Sequence, residues 1–210
     1  LVFLCSPNNP TGTLIAEADI EQIVAELDGQ AIVVLDEAYI EFADRASMAG
    51  RARDHDNLVV LRTLSKAHAL AGARCGAAIA SEAVIDVLSK VLPPYSFPTP
   101  VIETVIEALS DDRLRDSSAS VAAIVAERER VAERLDGLNC VRQRWPSHSN
   151  FILARFDDLP AVIEFLFEKR ILIRDFGGAA ELKNCARITI GSPQENDALL
   201  DALETYGSAN

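Results

Sequence analysis

The sequence predicts an α/β protein, with a larger domain built on a mostly parallel sheet followed by a smaller α/β domain. Three observations carry that reading. Apolar runs without polar alternation, such as Ala31-Ile32-Val33-Val34-Leu35, suit strands buried on both faces of a parallel sheet. Helical periodicity separates the first runs, with Ile20, Ile23, Val24 and Leu27 on one face and acidic residues opposite. The last third again alternates short strand candidates with helical stretches.

Taken in order, the first strand candidate covers residues 1–5 and reads as buried. It runs directly into the turn formers Ser6-Pro7-Asn8-Asn9-Pro10-Thr11-Gly12. No methionine, helix or cap precedes it, so the chain is expected to lack an N-terminal part. The helix through Ile20 ends near Asp28-Gly29, and the run at 31–35 closes on Asp36-Glu37. Residues 45–56, mixed in charge and rich in small side chains, read as an exposed excursion. The run Leu58-Val59-Val60-Leu61 then ends in Arg62-Thr63 and delivers Lys66. A short strand comes next at 77–80, and Ser81 is placed to cap a helix that turns Val84, Ile85, Val87 and Leu88 inward.

Prolines 93, 94, 98 and 100 punctuate the chain before helical patterns resume after Pro100 and from Ser120. The domain boundary is expected around 111–118, giving domains at 1–112 and 113–210. In the second, strands are expected at 141–145, 151–155, 171–173 and 186–190, with a helix at 160–169. The terminal helix opens on Ser192-Pro193-Gln194-Glu195, a capping box with proline at the first helical position.

Bulk properties narrow the function classes. The 210 residues carry a formal net charge of −12, which argues against a general nucleic-acid binder or a basic membrane-surface protein. No apolar run approaches the roughly 20 residues that span a bilayer. Cys5, Cys75, Cys140 and Cys185 form no CxxC pair, and His55, His68 and His148 have no ligand-like spacing, so no metal site is expected. A reduced, cytoplasmic protein is the default expectation.

The candidate chemistry gathers where strands end. A lysine at the end of a buried strand is costly unless paired or put to use, and a desolvated amine becomes a nucleophile towards carbonyls. Lys66 is therefore read either as a Schiff-base lysine or as a surface lysine past a strand. Asp36 has three readings: a solvent-exposed strand end, the acidic motif of a P-loop ATPase lacking its G-x-x-x-x-G-K-[ST], or the partner of a cationic ring nitrogen. Tyr39, three residues on, either reaches that ring or is a core tyrosine. Asn9 sits in an Asn-Pro turn, where an asparagine can simply satisfy its own backbone, and gains meaning from company, since Asn9, Asp36 and Lys66 come after three successive parallel-type strands at the edge where open α/β sheets bind ligands. Ser65 and Arg74, the latter flanked by small residues, make a phosphate-binding pair or a plain surface turn. Arg174 and Arg187, beside strands of the second domain, suit a substrate carboxylate or phosphate, or ordinary salt bridges. Cys75 reads as a small core residue.

These stretches together resemble the ordered motifs of fold-type I pyridoxal-phosphate aminotransferases: Ser6 to Gly12, Asp36-Glu37-Ala38-Tyr39, and Thr63-Leu64-Ser65-Lys66 with Ala71-Gly72-Ala73-Arg74-Cys75-Gly76. Within that group the chain is most similar to the histidinol-phosphate aminotransferases, through Arg62 to Ala67, Trp145-Pro146-Ser147, Asn150 to Arg155, Ile173-Arg174-Asp175 and Arg187 to Gly191. The resemblance runs from Leu1 to about Leu203 and implies the rear part of the large domain followed by the small C-terminal domain. It implies that Lys66 holds pyridoxal 5'-phosphate covalently and moves the substrate α-proton. Asp36 would pair with the pyridine nitrogen, Asn9 and Tyr39 with the ring hydroxylate, and Ser65 and Arg74 with the phosphate. Arg187, with Arg174 and with Asn9 also at the substrate, would bind the anionic end of glutamate or histidinol phosphate. An amino transfer between histidinol phosphate and 2-oxoglutarate, in a cytoplasmic homodimer of histidine biosynthesis, is the resulting expectation. An inactive fragment is another, because the family's phosphate loop, stacking aromatic and partner-subunit tyrosine would precede Leu1. An aromatic aminotransferase or a phosphothreonine decarboxylase is the rival within the same group. One departure is His68, where the family leads one to expect an aromatic such as phenylalanine.

Overall fold

The computed structural model describes residues 1–209. The chain forms two compact units: Leu1–Pro7 with Leu14–Val121, and Asn8–Thr13 with the chain from Ala122 onward.

In the first unit, β1 (Val2–Cys5), β2 (Val33–Asp36) and β3 (Leu58–Thr63) run parallel, and β4 (Gly76–Ile79) pairs antiparallel with β3, in the order β1-β2-β3-β4. This is the α/β class and the mostly parallel sheet that the apolar runs predict. Pairing of Cys5 with Asp36 and of Asp36 with Leu61 brings the carboxyl ends of β1 and β2 level, with β3 running two residues further to Thr63. Helix α1 (Glu17–Glu26) covers one sheet face, burying Ile20 and Val24 against Val33, Leu35, Leu58 and Val60. Each such aliphatic side chain contributes roughly 1.5–3 kcal/mol when fully buried.

Residues 45–56 are not an exposed excursion. They form a 3₁₀ turn, Met48–Asp54, that buries Met48 and Ala52 in the same core. The cause is Glu37, which is fully buried and accepts the Met48 N–H at 2.9 Å and the Ser47 hydroxyl. A buried carboxylate must be hydrogen-bonded, so it draws that segment onto the sheet.

The opposite sheet face is thinly covered. Helix α2 (Glu82–Ser89) lies there, but only Val84 and Ile85 are partly buried, while Val87 and Leu88 are exposed. Phe3 of β1 is also exposed, against the expectation of a buried strand. Eight residues of helix span about 12 Å, less than the sheet they face. An apolar cavity of about 500 Å³ results, lined by Phe3, Val34, Val59, Leu61, Val84 and Val87. Ser81 occupies the N-cap position of α2, but its side chain accepts no bond from the first turn and instead donates to the Asp56 carbonyl. Helix α3 (Thr99–Ala108) comes next, and α4 (Asp111–Asp136) continues from the first unit into the second.

The second unit carries a wholly antiparallel sheet of β5 (Val141–Arg144), β6 (Phe151–Phe156), β7 (Arg174–Asp175) and β8 (Cys185–Thr189), ordered β5-β6-β8-β7. Its core joins Ile152 and Phe156 of β6 and Ile188 of β8 with Leu135 of α4, Leu166 of α5 (Leu159–Glu168), and Leu200 and Leu203 of α6 (Pro193–Ala209). The capping box forms as the sequence predicts: Ser192 N–H donates to Glu195 Oε2 at 2.8 Å and Glu195 N–H to Ser192 Oγ at 3.3 Å. The Ser192 amide holds the Glu195 carboxyl below its ordinary range. Asn196, two per cent exposed, grips both the N–H and the carbonyl of Gly191, and donates to Glu127. Glu127 lies below the usual carboxylate range through Arg130 first and Asn196 second.

The strand expected at 171–173 is displaced. Residues 174–175 pair instead, because α5 ends in a Schellman turn: Arg170 is left-handed (φ 62°), Arg170 N–H meets the Phe167 carbonyl, and Ile171 N–H meets that of Leu166. The apolar triplet serves as the exit from that turn, with Ile171 and Ile173 packed on the core and Leu172 exposed.

The loop Asn8–Thr13 is seated by Gly12, whose φ is +75° and whose carbonyl accepts the His148 N–H at 2.8 Å. A Cβ there would overlap Ser147 Oγ. Gly12→Ala combines left-handed strain with that overlap, and is expected to cost about 2–4 kcal/mol, read as a lowered midpoint in urea unfolding. Among the described residues no helix is long and apolar enough to cross a membrane.

Candidate active site

The carboxyl end of β2 supplies Asp36, whose Oδ1 accepts the Ala38 N–H at 2.9 Å; that fixes one oxygen and leaves the other for a ligand. Glu37, held inside by Ser47 and Met48, pins the adjoining loop, and Tyr39 is buried two residues later.

Beyond β3 the chain makes a closed turn. Leu64 N–H donates to the Cys75 carbonyl at 3.1 Å, Leu70 N–H to that of Leu64 at 3.0 Å, and Ala69 N–H to that of Lys66 at 3.0 Å, with Ala69 left-handed at φ 55°. Thr63 Oγ1 accepts the Ser65 N–H at 3.1 Å and donates to Ser65 Oγ at 3.0 Å, orienting that hydroxyl. Thr63 is not among the residues expected from the sequence, although a threonine two residues before a serine is the spacing of such a turn. Lys66 is exposed, and its Nζ stands 5.3 Å from the centroid of the Tyr39 ring. Arg74 is left-handed (φ 52°), and its Nη1 donates to the Ala71 carbonyl at 3.1 Å. Gly76 lies where a Cβ would come within 2.8 Å of the Arg62 carbonyl. Asp36, Thr63, Ser65, Lys66 and Arg74 line one cavity of about 510 Å³.

In the second unit, β7 and β8 set Arg174 directly opposite Arg187. Like charges in that position repel, and an anion bound between them would relieve the repulsion. Arg187 Nη1 donates to Asn9 Oδ1 at 3.0 Å, and its guanidinium lies 4.9 Å from the Phe151 ring and 5.8 Å from that of Phe176. Its Nε is buried without a hydrogen-bond partner. Aromatic faces and one side-chain amide thus hold a planar cation in a fixed pose, with donors left over. Arg174 is exposed.

Of the predicted residues, Asp36, Ser65, Lys66 and Arg74 meet at one cavity, with Tyr39 against Lys66; Asn9, Arg174 and Arg187 are gathered in the second unit. Cys75 is partly buried beside the first group. Among the described residues no His, Cys, Asp and Glu cluster is arranged to hold a metal ion.

The family model for aminotransferase class I and II matches residues 1–203. The histidinol-phosphate aminotransferase of Shigella flexneri serotype 5b is 46% identical over 203 residues, which is 97% of this chain and 57% of that protein. The chain therefore spans little more than half the length of such relatives. Among solved structures, the histidinol-phosphate aminotransferase from Clostridium acetobutylicum matches with a TM-score of 0.91 over 100% of this chain and 64% of that one, at 23% identity, a likeness of fold. The histidinol-phosphate aminotransferase from Sinorhizobium meliloti, in complex with pyridoxal-5'-phosphate, matches with a TM-score of 0.83 over 99% of this chain and 57% of that one, at 28% identity.

Proposed function

The chain belongs to the aminotransferase class I and II family, and from that premise we propose that its protein is a pyridoxal-phosphate-dependent aminotransferase exchanging an amino group between histidinol phosphate and 2-oxoglutarate. The observation that carries this is the cavity that joins Asp36, Ser65, Lys66 and Arg74.

The donor set fits the cofactor. A primary amine meets an aldehyde, a carboxylate meets a ring nitrogen, and a hydroxyl with a guanidinium meets a phosphate. When bound, pyridoxal phosphate supplies the electron sink for the pair released as the substrate loses its α-proton. Lys66 is the covalent anchor and afterwards the base that takes and returns that proton at the α-carbon. Asp36 holds a proton on the pyridine nitrogen. Ser65, oriented by Thr63, and Arg74 donate to the phosphate. Tyr39 and Asn9 are assigned to the ring hydroxylate, and with Asn9 Oδ1 taken by Arg187 its Nδ2 is the donor.

Arg187, with Arg174 opposite, is assigned to the anionic end of glutamate and of histidinol phosphate. Arg187→Ala is expected to lower kcat/KM for both by about 10²–10³, the equivalent of one or two charge-assisted hydrogen bonds, chiefly through KM. Steady-state kinetics on both substrates checks this, with Arg174→Ala losing less.

Two experiments test the assignment. Borohydride reduction of the full-length holoprotein, followed by peptide mapping, is expected to label Lys66, and a label elsewhere overturns it. Comparison of kcat/KM for histidinol phosphate, phenylalanine and phosphothreonine separates this reading from an aromatic aminotransferase or a decarboxylase. The family match does not favour an ATPase, and Glu37 is consumed inside the fold. We further propose a cytoplasmic homodimer, and an isolated 210-residue chain without transaminase activity.

A further inference from the structure

Three polar groups beside the Lys66 turn have no part in that chemistry: Glu41, Arg62 and His68. Arg62, near the end of β3, borders the cavity of Asp36 and Lys66, and also a smaller cavity of about 210 Å³ shared with Glu41, His68 and Cys75. Its Nη2 donates to Glu41 Oε1 at 2.7 Å, with the two side chains 28% and 18% exposed. Glu41 belongs to the 3₁₀ turn Ile40–Phe42, two residues after Tyr39. The pair therefore fastens the loop that carries Asp36 and Tyr39 to the strand that leads into Lys66, beyond the last backbone bond between them, from Glu37 N–H to the Leu61 carbonyl.

Stability does not explain such a pair. A half-desolvated ion pair contributes little over an apolar replacement, and this one leaves Glu41 Oε2 and Arg62 Nε buried without partners, as is His68 Nδ1. What the pair does supply is register between two loops, because a charged group bound at 2.7 Å tolerates little movement.

We propose that Glu41 and Arg62 are positioning residues, which hold the Tyr39 ring and the Lys66 amine in mutual register for the cofactor. The inference rests on the reading of Lys66 as the cofactor anchor.

The test is a double-mutant cycle in the full-length holoprotein with Glu41→Ala, Arg62→Ala and both, and Glu41→Gln as the variant that keeps a hydrogen bond. The cofactor Kd, the pH midpoint of the visible absorption of the lysine-bound cofactor, and Tm are followed. Each single alanine variant is expected to raise the cofactor Kd about tenfold and to move the pH midpoint, the double to be no worse than the worse single, and Glu41→Gln to recover part of the loss. His68→Phe, which removes an unpartnered buried nitrogen, is expected to leave Kd and midpoint alone. A fall in Tm with Kd and midpoint unchanged would make the pair merely structural and overturn the proposal. So would additive losses dominated by Arg62→Ala, which would assign Arg62 to the ligand directly. Borohydride labelling of every variant keeps the two readings apart: a label away from Lys66 removes the anchor itself, whereas a Lys66 label with no coupling removes only the positioning pair.

Discussion

Lys66→Ala is expected to lower kcat by at least about 10³, because on the roles proposed for Lys66 one substitution removes both the covalent anchor and the group that moves the α-proton. Lys66→Arg separates these roles from charge. A guanidinium keeps the cation near the Tyr39 ring but cannot deprotonate in the working range, so it neither forms the covalent link nor accepts a proton. The two variants should therefore fail alike, and borohydride should incorporate no label at position 66 in either. Folding is not expected to suffer, since Lys66 is exposed and its turn is closed by backbone bonds from Leu64, Ala69 and Leu70. Single-turnover kinetics with circular dichroism as the control make the measurement. Arginine retaining most of the wild-type rate would mean that the charge, and not the amine, is what the site requires.

The legible parts of the fold are those set by local pattern. A run like Val33-Val34-Leu35 has one low-energy home, between two layers, and three such runs in succession dictate a parallel sheet whose carboxyl edge gathers the loop residues that each strand delivers. That pattern alone puts Asp36 and Lys66 together at one edge, where the cavity joins them. The Ser192-Glu195 box is equally local. The hidden parts depend on partners distant in sequence. Met48 and Ala52 look like loop residues until the buried Glu37 carboxylate demands donors eleven residues away. Arg174 and Arg187 stand out in the sequence beside strands, but nothing local shows that they face each other across β7 and β8 or that Asn9, 178 positions earlier, takes the Arg187 Nη1. The inward face expected of α2 fails for a complementary reason, since periodicity tells which side of a helix is apolar but not whether anything reaches it.

Asp36→Asn is expected to lower kcat by about 10²–10³ with little change in stability, and the contrast comes from how the carboxylate is held. One oxygen of Asp36 is committed to the Ala38 N–H, a bond that the carbonyl oxygen of asparagine can keep, so the loop between β2 and Tyr39 retains its shape. The lost feature is the negative charge on the other oxygen. On the pairing proposed for Asp36, a neutral amide would not hold a proton on the pyridine nitrogen, and a neutral ring is a poor electron sink, so the penalty would fall on the step that breaks the α-carbon–hydrogen bond. A primary isotope effect with α-deuterated substrate should accordingly grow in Asp36→Asn, with borohydride labelling of the proposed anchor Lys66 unchanged. Asp36→Glu restores the charge at a displaced position and should regain part of the rate. If the amide variant turned over at the wild-type rate, Asp36 would be reduced to a strand-end residue that merely organises its own loop, and the ring nitrogen would need another partner among the groups lining the cavity.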